Sequence, residues 1–332
     1  MKALRSVCLA LAVLVSACSP AKQAAAPAGP QLTIIGFATD WRAEAEHGGF
    51  YEALANGEYR KRGLDVRIVQ GGPGVNVPQL MAAGSVEMGI GSNAFIVMNL
   101  AQERVPLKAV AAAFQKDPQV LIAHPDAGVK TLADLKDHPI LLSDASITAF
   151  WVWLKAKYGF TDDQVRKYTF NNGPFLADKR TAQQGYVTSE PYTIEKEAGL
   201  KPVVFLLSDN GYPGYGPMIL ASDSLISKNP AAVRAFVEAS AAGWRDYLNG
   251  DPAPADALIR KDNPEMTQDV LDQARAKLKA YGLVDGGDAA TGGIGLMTDA
   301  RWKTFFDMAS SQGVYPKTLD PKRAYTLQFL GK

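Results

Sequence analysis

The chain has 332 residues, with 35 Lys or Arg against 34 Asp or Glu and a formal net charge of +1. No basic stripe of the kind that tracks a phosphate backbone is visible, so nucleic acid is not expected as a partner. Both cysteines, Cys8 and Cys18, fall near the N-terminus, which leaves the rest of the chain with no disulfide, thiolate nucleophile or cysteine-based metal site.

Lys2 and Arg5 precede an apolar run from Val7 to Val15 that is too short to span a bilayer. It reads as the core of a signal peptide over residues 1–17. Leu14-Val15-Ser16-Ala17-Cys18 sets small residues before a cysteine and resembles the bacterial lipobox, which implies cleavage ahead of Cys18 and a lipid on that residue. The alternative is ordinary secretory cleavage with an incidental cysteine. Residues 18–30 are rich in Ala and Pro without an apolar period, as in a flexible tether. No later segment is long and apolar enough to cross a bilayer, so the lipid would be the only membrane contact. Without Lys2 and Arg5 the formal charge is −1.

From Leu32 short β-branched runs alternate with amphipathic ones. Leu32 to Phe37 and Leu64 to Val69 read as strands, with a helix from Phe50 to Lys61 between them and Gly63 at its end. A helix from Val77 to Ala83, a strand from Met88 to Ile90, a helix from Ala94 to Glu103 and a strand from Leu107 to Phe114 follow. This spacing predicts βαβ units on a parallel sheet. The alternation restarts after Val120 to Ala123, with strands at Ile140 to Leu142, Tyr168 to Phe170, Gly185 to Val187 and Val203 to Leu207. Helices are expected at Ile147 to Tyr158 and Tyr192 to Glu197. After a Gly/Pro/Asn-rich stretch, Asp209 to Pro217, and an apolar run, Met218 to Ala221, the pattern is helical: Ala231 to Leu248, Gln268 to Ala280 and Ala300 to Ala309. Two α/β blocks in series would fit. So would one lobe inserted into another, with crossings at Gln119 to Pro125 and Gly214 to Ala221. The inserted plan is adopted: residues 31–120 plus 219–332 as lobe 1 and 121–218 as lobe 2.

Asp40-Trp41, His47, Phe50-Tyr51 and Gly63-Leu64-Asp65-Val66 together resemble the start of NMT1/THI5-like solute-binding proteins, close to the sulfonate and nitrate receptors. Ala82 to Gly89 and the segment from Gly185 through Ser189-Glu190-Pro191-Tyr192 are similar to two further family stretches. The resemblance spans roughly Leu32 to Leu248, and it rests on order and spacing rather than on one motif. It implies an α/β, two-lobed type II periplasmic-binding-protein fold with the ligand in the interlobe cleft and a helical C-terminal tail. Partners implied are a small-molecule ligand and the permease and ATPase of an ABC importer; the chain is expected to be a monomer, without a cofactor.

In such a fold, ligands meet the carboxyl ends of strands and the N-termini of helices. Asp40 and Trp41 follow the first strand, and Trp41 is expected to stack on a planar ligand. His47 stands before the first helix, either as a ligand donor or as a cap, with no Cys, His or Glu at metal spacing. Glu44 and Glu46 read as solvated loop acids. Gln70 to Asn76, ending in Asn76, is Gly-rich and lacks both the P-loop and the dinucleotide pattern; it is a ligand cradle or a plain turn. Ser92 and Asn93 offer a hydroxyl and an amide at a strand-to-helix corner, while Gln115-Lys116-Asp117 reads as a solvated turn. Ser143, Ser146 and Thr148 bracket a helix start, one as its cap and Ser146 as a ligand candidate. Trp151 and Trp153 face different directions on a helix, and Trp151 is expected in the cleft. Glu190, before Pro191 and Tyr192, is poised to accept hydrogen bonds. Tyr212 and Tyr215 form a rim or pack.

Acceptors beside aromatic faces suit a flat heterocycle with amino or ring N–H groups, whereas an anion needs basic groups. The THI5-like branch is associated with thiamine-pyrimidine precursors, so an aminopyrimidine leads, followed by riboflavin and then a small sulfonate or nitrate. A second class remains open: eukaryotic THI5 proteins are pyrimidine synthases that use pyridoxal phosphate and an active-site histidine, a position His47 fits. Their cysteine-rich, iron-associated motif has no counterpart here. A third class, a structural lipoprotein or adhesin, predicts no closure on a ligand.

Overall fold

A computed structural model describes residues 31–331. The expected signal peptide, the lipid on Cys18 and the tether therefore lie outside the described residues. Among those described, no helix is long and apolar enough to cross a membrane.

Ten strands form two five-stranded sheets. The first holds β1 (Thr33–Ala38), β2 (Leu64–Val69), β3 (Met88–Gly91), β4 (Leu107–Ala112) and β10 (Met218–Ser222), in the order β2-β1-β3-β10-β4. The second holds β5 (Gln119–Ala123), β6 (Ile140–Leu142), β7 (Val165–Lys167), β8 (Ala182–Tyr186) and β9 (Val203–Leu206), in the order β7-β6-β8-β5-β9. Each sheet is mixed rather than parallel: β10 runs antiparallel to β3 and β4, and β5 antiparallel to β8 and β9. The strand that returns from the other sheet enters from the opposite end, so a helix-sized crossover is not needed to pair it. The chain changes sheets between Ala112 and Gln119 and again between Leu206 and Met218. Gln119 to Ala123, read from sequence as a crossing, is an interior strand of the second sheet.

Several element limits differ from the sequence pattern for local reasons. The helix expected over Phe50 to Lys61 is two helices, Gly48–Ala55 and Glu58–Lys61, separated by Gly57 at φ 70°. Helix Ala253–Asp262 was not read from sequence; Pro252 and Pro254 mask it, although prolines are tolerated in a first turn. Helix Pro230–Asn249 is amphipathic and buries Phe236, Trp244 and Tyr247 against Gly48–Ala55. Gly243 makes that approach possible, because a Cβ there would collide with the backbone of Gly49 and Ala53.

The expectation of a solvated turn at Gln115-Lys116-Asp117 is corrected: Gln115 and Asp117 are fully buried in the first crossing. A charged or amide side chain looks solvated in a sequence when its partners come from distant segments. Burial pushes the Asp117 carboxyl up to about 7, against the opposing hydrogen bond from the Gln119 N–H. In the second crossing, Tyr212 and Tyr215 are buried rather than exposed.

One C-terminal side chain holds both crossings. Arg301, from helix Asp299–Ser311, donates to the carbonyls of Gln115, Pro213 and Gly214. Its guanidinium lies 4.1 Å from the Tyr215 ring centre, and Tyr215 in turn donates to Asp288 at 2.6 Å.

Candidate functional site

The loop after β1 carries most of the site, and the sequence fixes its course through backbone anchors. Gly71 N–H donates to the Trp41 carbonyl, at 3.1 Å, and to Thr39 Oγ1. A Cβ at Gly71 would strike the backbone of Thr39 and Asp40, so the glycine after β2 supports the loop after β1. Gln70 accepts from the Ala43 N–H at 2.9 Å, and Asn263 donates to the Ala43 carbonyl at 2.9 Å. The Gly-rich stretch thus braces Trp41 through Gly71.

Four carboxylates converge here: Asp40, Glu44 and Glu46 from this loop, and Glu190 from the turn after β8. His47 is buried, with Nε2 3.3 Å from Asp40 Oδ1, and its Nδ1 has no hydrogen-bond partner among the described residues. Glu46 is buried and accepts from the Thr188 hydroxyl of the other sheet. Burial raises the Glu44 carboxyl well above its ordinary range, and the charges of Glu46, Asp40 and Glu190 raise it further. Burial also raises Glu46, which the Thr188 hydrogen bond opposes. Glu190 is raised by burial against hydrogen bonds from the Tyr186 N–H, at 2.8 Å, and the Tyr168 hydroxyl, at 3.2 Å. Gly185 leaves the room that lets Glu190 fold back under β8, since a Cβ there would meet the Glu190 side chain. Among the described residues no Lys or Arg pairs with any of these four carboxylates. The expectation that Glu44 and Glu46 are solvated loop acids is therefore corrected.

Across the same space Trp41 meets Phe170, ring centres 4.7 Å apart and tilted by 43°. Phe170 is 46% exposed and has φ 59°, a left-handed backbone that is rare for an aromatic residue. Strain of this kind is held where surrounding structure demands it, and it concentrates at ligand clamps. Further contacts join the two sides. Gln273 donates to the Thr188 carbonyl at 2.6 Å, while Tyr192 Oη and Lys196 Nζ both lie 2.7 Å from Asp269 Oδ2.

Of the residues singled out from sequence, Asp40, Trp41, His47 and Glu190 come together. The others have different surroundings. Asn76 and Asn93 cap helices Val77–Ala82 and Ala94–Gln102, accepting from the Gln79 and Ile96 N–H groups. Ser146 is buried and bonded to Ser143, at 3.0 Å, the cap of its helix. Ser92 is half-buried at the end of β3. Trp151 is fully buried against Phe160 and donates to Asp162 at 2.8 Å, so it packs within its own sheet's layer and not in the cleft. The helix expected over Ile147 to Tyr158 is two, Asp144–Ile147 and Phe150–Tyr158, and Trp151 stands in the first turn of the second. Tyr192 lies at the rim, bonded to Asp269. Sequence reading missed Phe170, Tyr168, Tyr186 and Thr188. Only the Glu-x-Glu-His run, Glu44 to His47, offered a signal that could have drawn attention to the buried acids.

Comparison with known proteins agrees with this architecture. The riboflavin-binding protein RibY of Chloroflexus aurantiacus is 24% identical over 341 residues, covering 96% of this chain and 95% of that protein. The alkanesulfonate-binding protein SsuA of Xanthomonas axonopodis pv. citri, solved with MOPS, superposes with a TM-score of 0.65 at 15% identity, over 90% of this chain and 99% of that one. The aliphatic sulphonate-binding protein SsuA of Escherichia coli gives 0.62 at 16% identity, over 90% and 92%. At these identities the structural neighbours establish the fold: two mixed sheets with flanking helices, as in periplasmic binding proteins, ending in a helical C-terminal region. The NMT1/THI5-like family model matches residues 44–255, from the acidic loop through both sheets, and the chain belongs to that family.

Proposed function

We propose that this chain is the solute-binding component of an ABC importer and that its cargo is a small planar heterocycle rich in hydrogen-bond donors, a thiamine-pyrimidine precursor first. The observation that carries the reading is the contact of Trp41, after β1, with Phe170, after β7, beside four carboxylates with no Lys or Arg partner among the described residues. Aromatic faces hold a flat ring, adding about 0.5–1.5 kcal/mol beyond burial. Carboxylates accept from amino and ring N–H groups, in charge-assisted bonds worth about 1.5–3 kcal/mol each. The same carboxylates disfavour a sulfonate or nitrate, whatever the fold neighbours bind.

Riboflavin is the second reading, favoured by the RibY relative that matches nearly the whole chain. The synthase reading has His47 in its support; against it stands a sequence whose two cysteines both precede residue 19. The lobes are proposed to divide as 31–120 plus 219–332 and 121–218; the sheet membership of β5 and β10 supports the inserted plan, with each change of sheet lying just before these limits, ahead of Gln119 and of Met218. Hinge motion about the two crossings would then close the cleft. Lipidation at Cys18, a monomeric state and docking to a permease and ATPase complete the proposal. Calorimetric titration with 4-amino-5-hydroxymethyl-2-methylpyrimidine, riboflavin, taurine and nitrate tests it. Tight binding of a heterocycle is expected, and tight binding of taurine or nitrate alone overturns it.

A further inference from the structure

We infer that the cleft selects its heterocycle by charge, taking a cation that carries a protonated amine or ring nitrogen in preference to the neutral ring of the same shape. This rests on the heterocycle reading above and goes beyond it, because donor-rich and positively charged are different properties.

Glu190 has both oxygens engaged, by the Tyr186 N–H and the Tyr168 hydroxyl. Asp40 faces His47, and Glu46 accepts from Thr188. Glu44 is half-buried, has no hydrogen-bond or ion-pair partner among the described residues, and lies within reach of the other three charges. Like charges gathered at low dielectric repel strongly, so the cluster is relieved either by protons, which burial of Glu44, Glu46 and Glu190 favours, or by a cation, whose arrival holds the carboxylates in their charged form. The cationic side chains of the neighbouring segments are already committed, Arg42 of the same loop to Glu265 at 3.1 Å. Arg275 pairs with Asp256 at 3.5 Å, bonds Asp272 at 2.9 Å and lies over the Tyr247 ring. Lys196 is bonded to Asp269. The hydroxyls facing the cluster, those of Tyr168, Thr188 and the nearby Tyr186, carry no positive charge.

His47 is the second, independent sign of a ligand. It is 2% exposed, its ring stands against Asp40, and its Nδ1 is buried without a partner. A buried polar nitrogen left unpaired is costly, so it marks a place where a further group completes the bonding. With Trp41 and Phe170 able to cover a flat cation, whose charge an aromatic face also attracts, the shape and the electrostatics select the same ligand class.

The test compares two rings that differ in one substituent: 4-amino-5-aminomethyl-2-methylpyrimidine, an ammonium ion at neutral pH, and its 5-hydroxymethyl analogue, which is neutral there. Affinities are measured by calorimetry on the full chain at low and high salt, beside riboflavin and taurine. The aminomethyl compound is expected to bind at least tenfold tighter, with the ratio shrinking at high salt. E44Q is expected to reduce the aminomethyl affinity more than that of the hydroxymethyl compound, and D40N to do the same if E44Q folds poorly. Equal or weaker affinity for the aminomethyl compound, including no binding of either ring, overturns the charge selection. Tight riboflavin binding with no ammonium preference removes the charge selection but keeps the heterocycle reading; taurine binding alone removes both.

Discussion

The cleft and the hinge treat charge in opposite ways. At the hinge, Arg301 is enclosed by three carbonyls, the Tyr215 face and Asp288, so its charge is compensated from every side. In the acidic cluster, Asp40, Glu44, Glu46 and Glu190 repel one another with no Lys or Arg paired to them among the described residues, and His47 stands against Asp40 alone. Both arrangements are assembled from distant segments and both are largely shielded from water. A buried charge whose bonds are complete acts as a structural staple; buried charges left incomplete mark where a ligand belongs.

The largest expected effect comes from breaking the staple. R301M keeps the stem but strands three carbonyls in both crossings, and a loss of about 3 kcal/mol is expected in urea unfolding. An unchanged midpoint would mean that the crossings hold themselves. Asp117, in the same hinge, gives a pH-dependent contrast. Folding raises its carboxyl from 3.8 to about 7, so the folded chain binds that proton more tightly than the unfolded chain. Its contribution is therefore most favourable below about pH 4, falls as the pH rises towards 7, and levels off above that. D117N keeps an oxygen for the Gln119 N–H without the charge. It is expected to gain on the order of 2–4 kcal/mol over wild type at pH 8 and little at pH 4. Equal stability curves for the two proteins would show that Asp117 is solvated.

On the cleft side, F170A removes one half of the aromatic pair from an exposed position. It should weaken heterocycle binding by about tenfold while leaving the unfolding midpoint nearly unchanged. A large stability loss with intact affinity would instead make Phe170 a packing residue. The smallest effect is expected at the rim, where D269N removes the negative charge shared by Tyr192 and Lys196. Exposed ion pairs contribute little and are screened by salt, so affinity should change by about twofold at most. The change should vanish at high ionic strength, and scattering should show slightly more open molecules at low salt.

Much of the first lobe's share of the site was legible because it is contiguous. Asp40, Trp41 and His47 lie within eight residues after a clear strand, and a strand's carboxyl end is where such folds place ligands. The second lobe's share was mostly hidden. Glu190 carried a readable Glu-Pro turn, but Phe170 depends on a left-handed backbone that no residue type announces, and Tyr168 and Thr188 come from separate segments. Asn76 and Asn93 show how a local role can share a position with an expected one. Both sit at strand-to-helix corners suited to binding, and both spend their side chains on helix capping.

What the sequence determined by itself is the α/β alternation, the family, the position of the Asp40–His47 loop and the absence of cysteine beyond residue 18. These follow from local periodicity, spacing and composition, which neighbouring residues carry among themselves. Only the tertiary structure decided that both sheets are mixed, that Trp151 belongs to a core, that Glu46 is buried and Glu44 half-buried, and that Arg301 binds both crossings. Each of these depends on partners far away in the chain. Burial and electrostatic compensation are properties of the assembled surroundings, so no local stretch of sequence contains them.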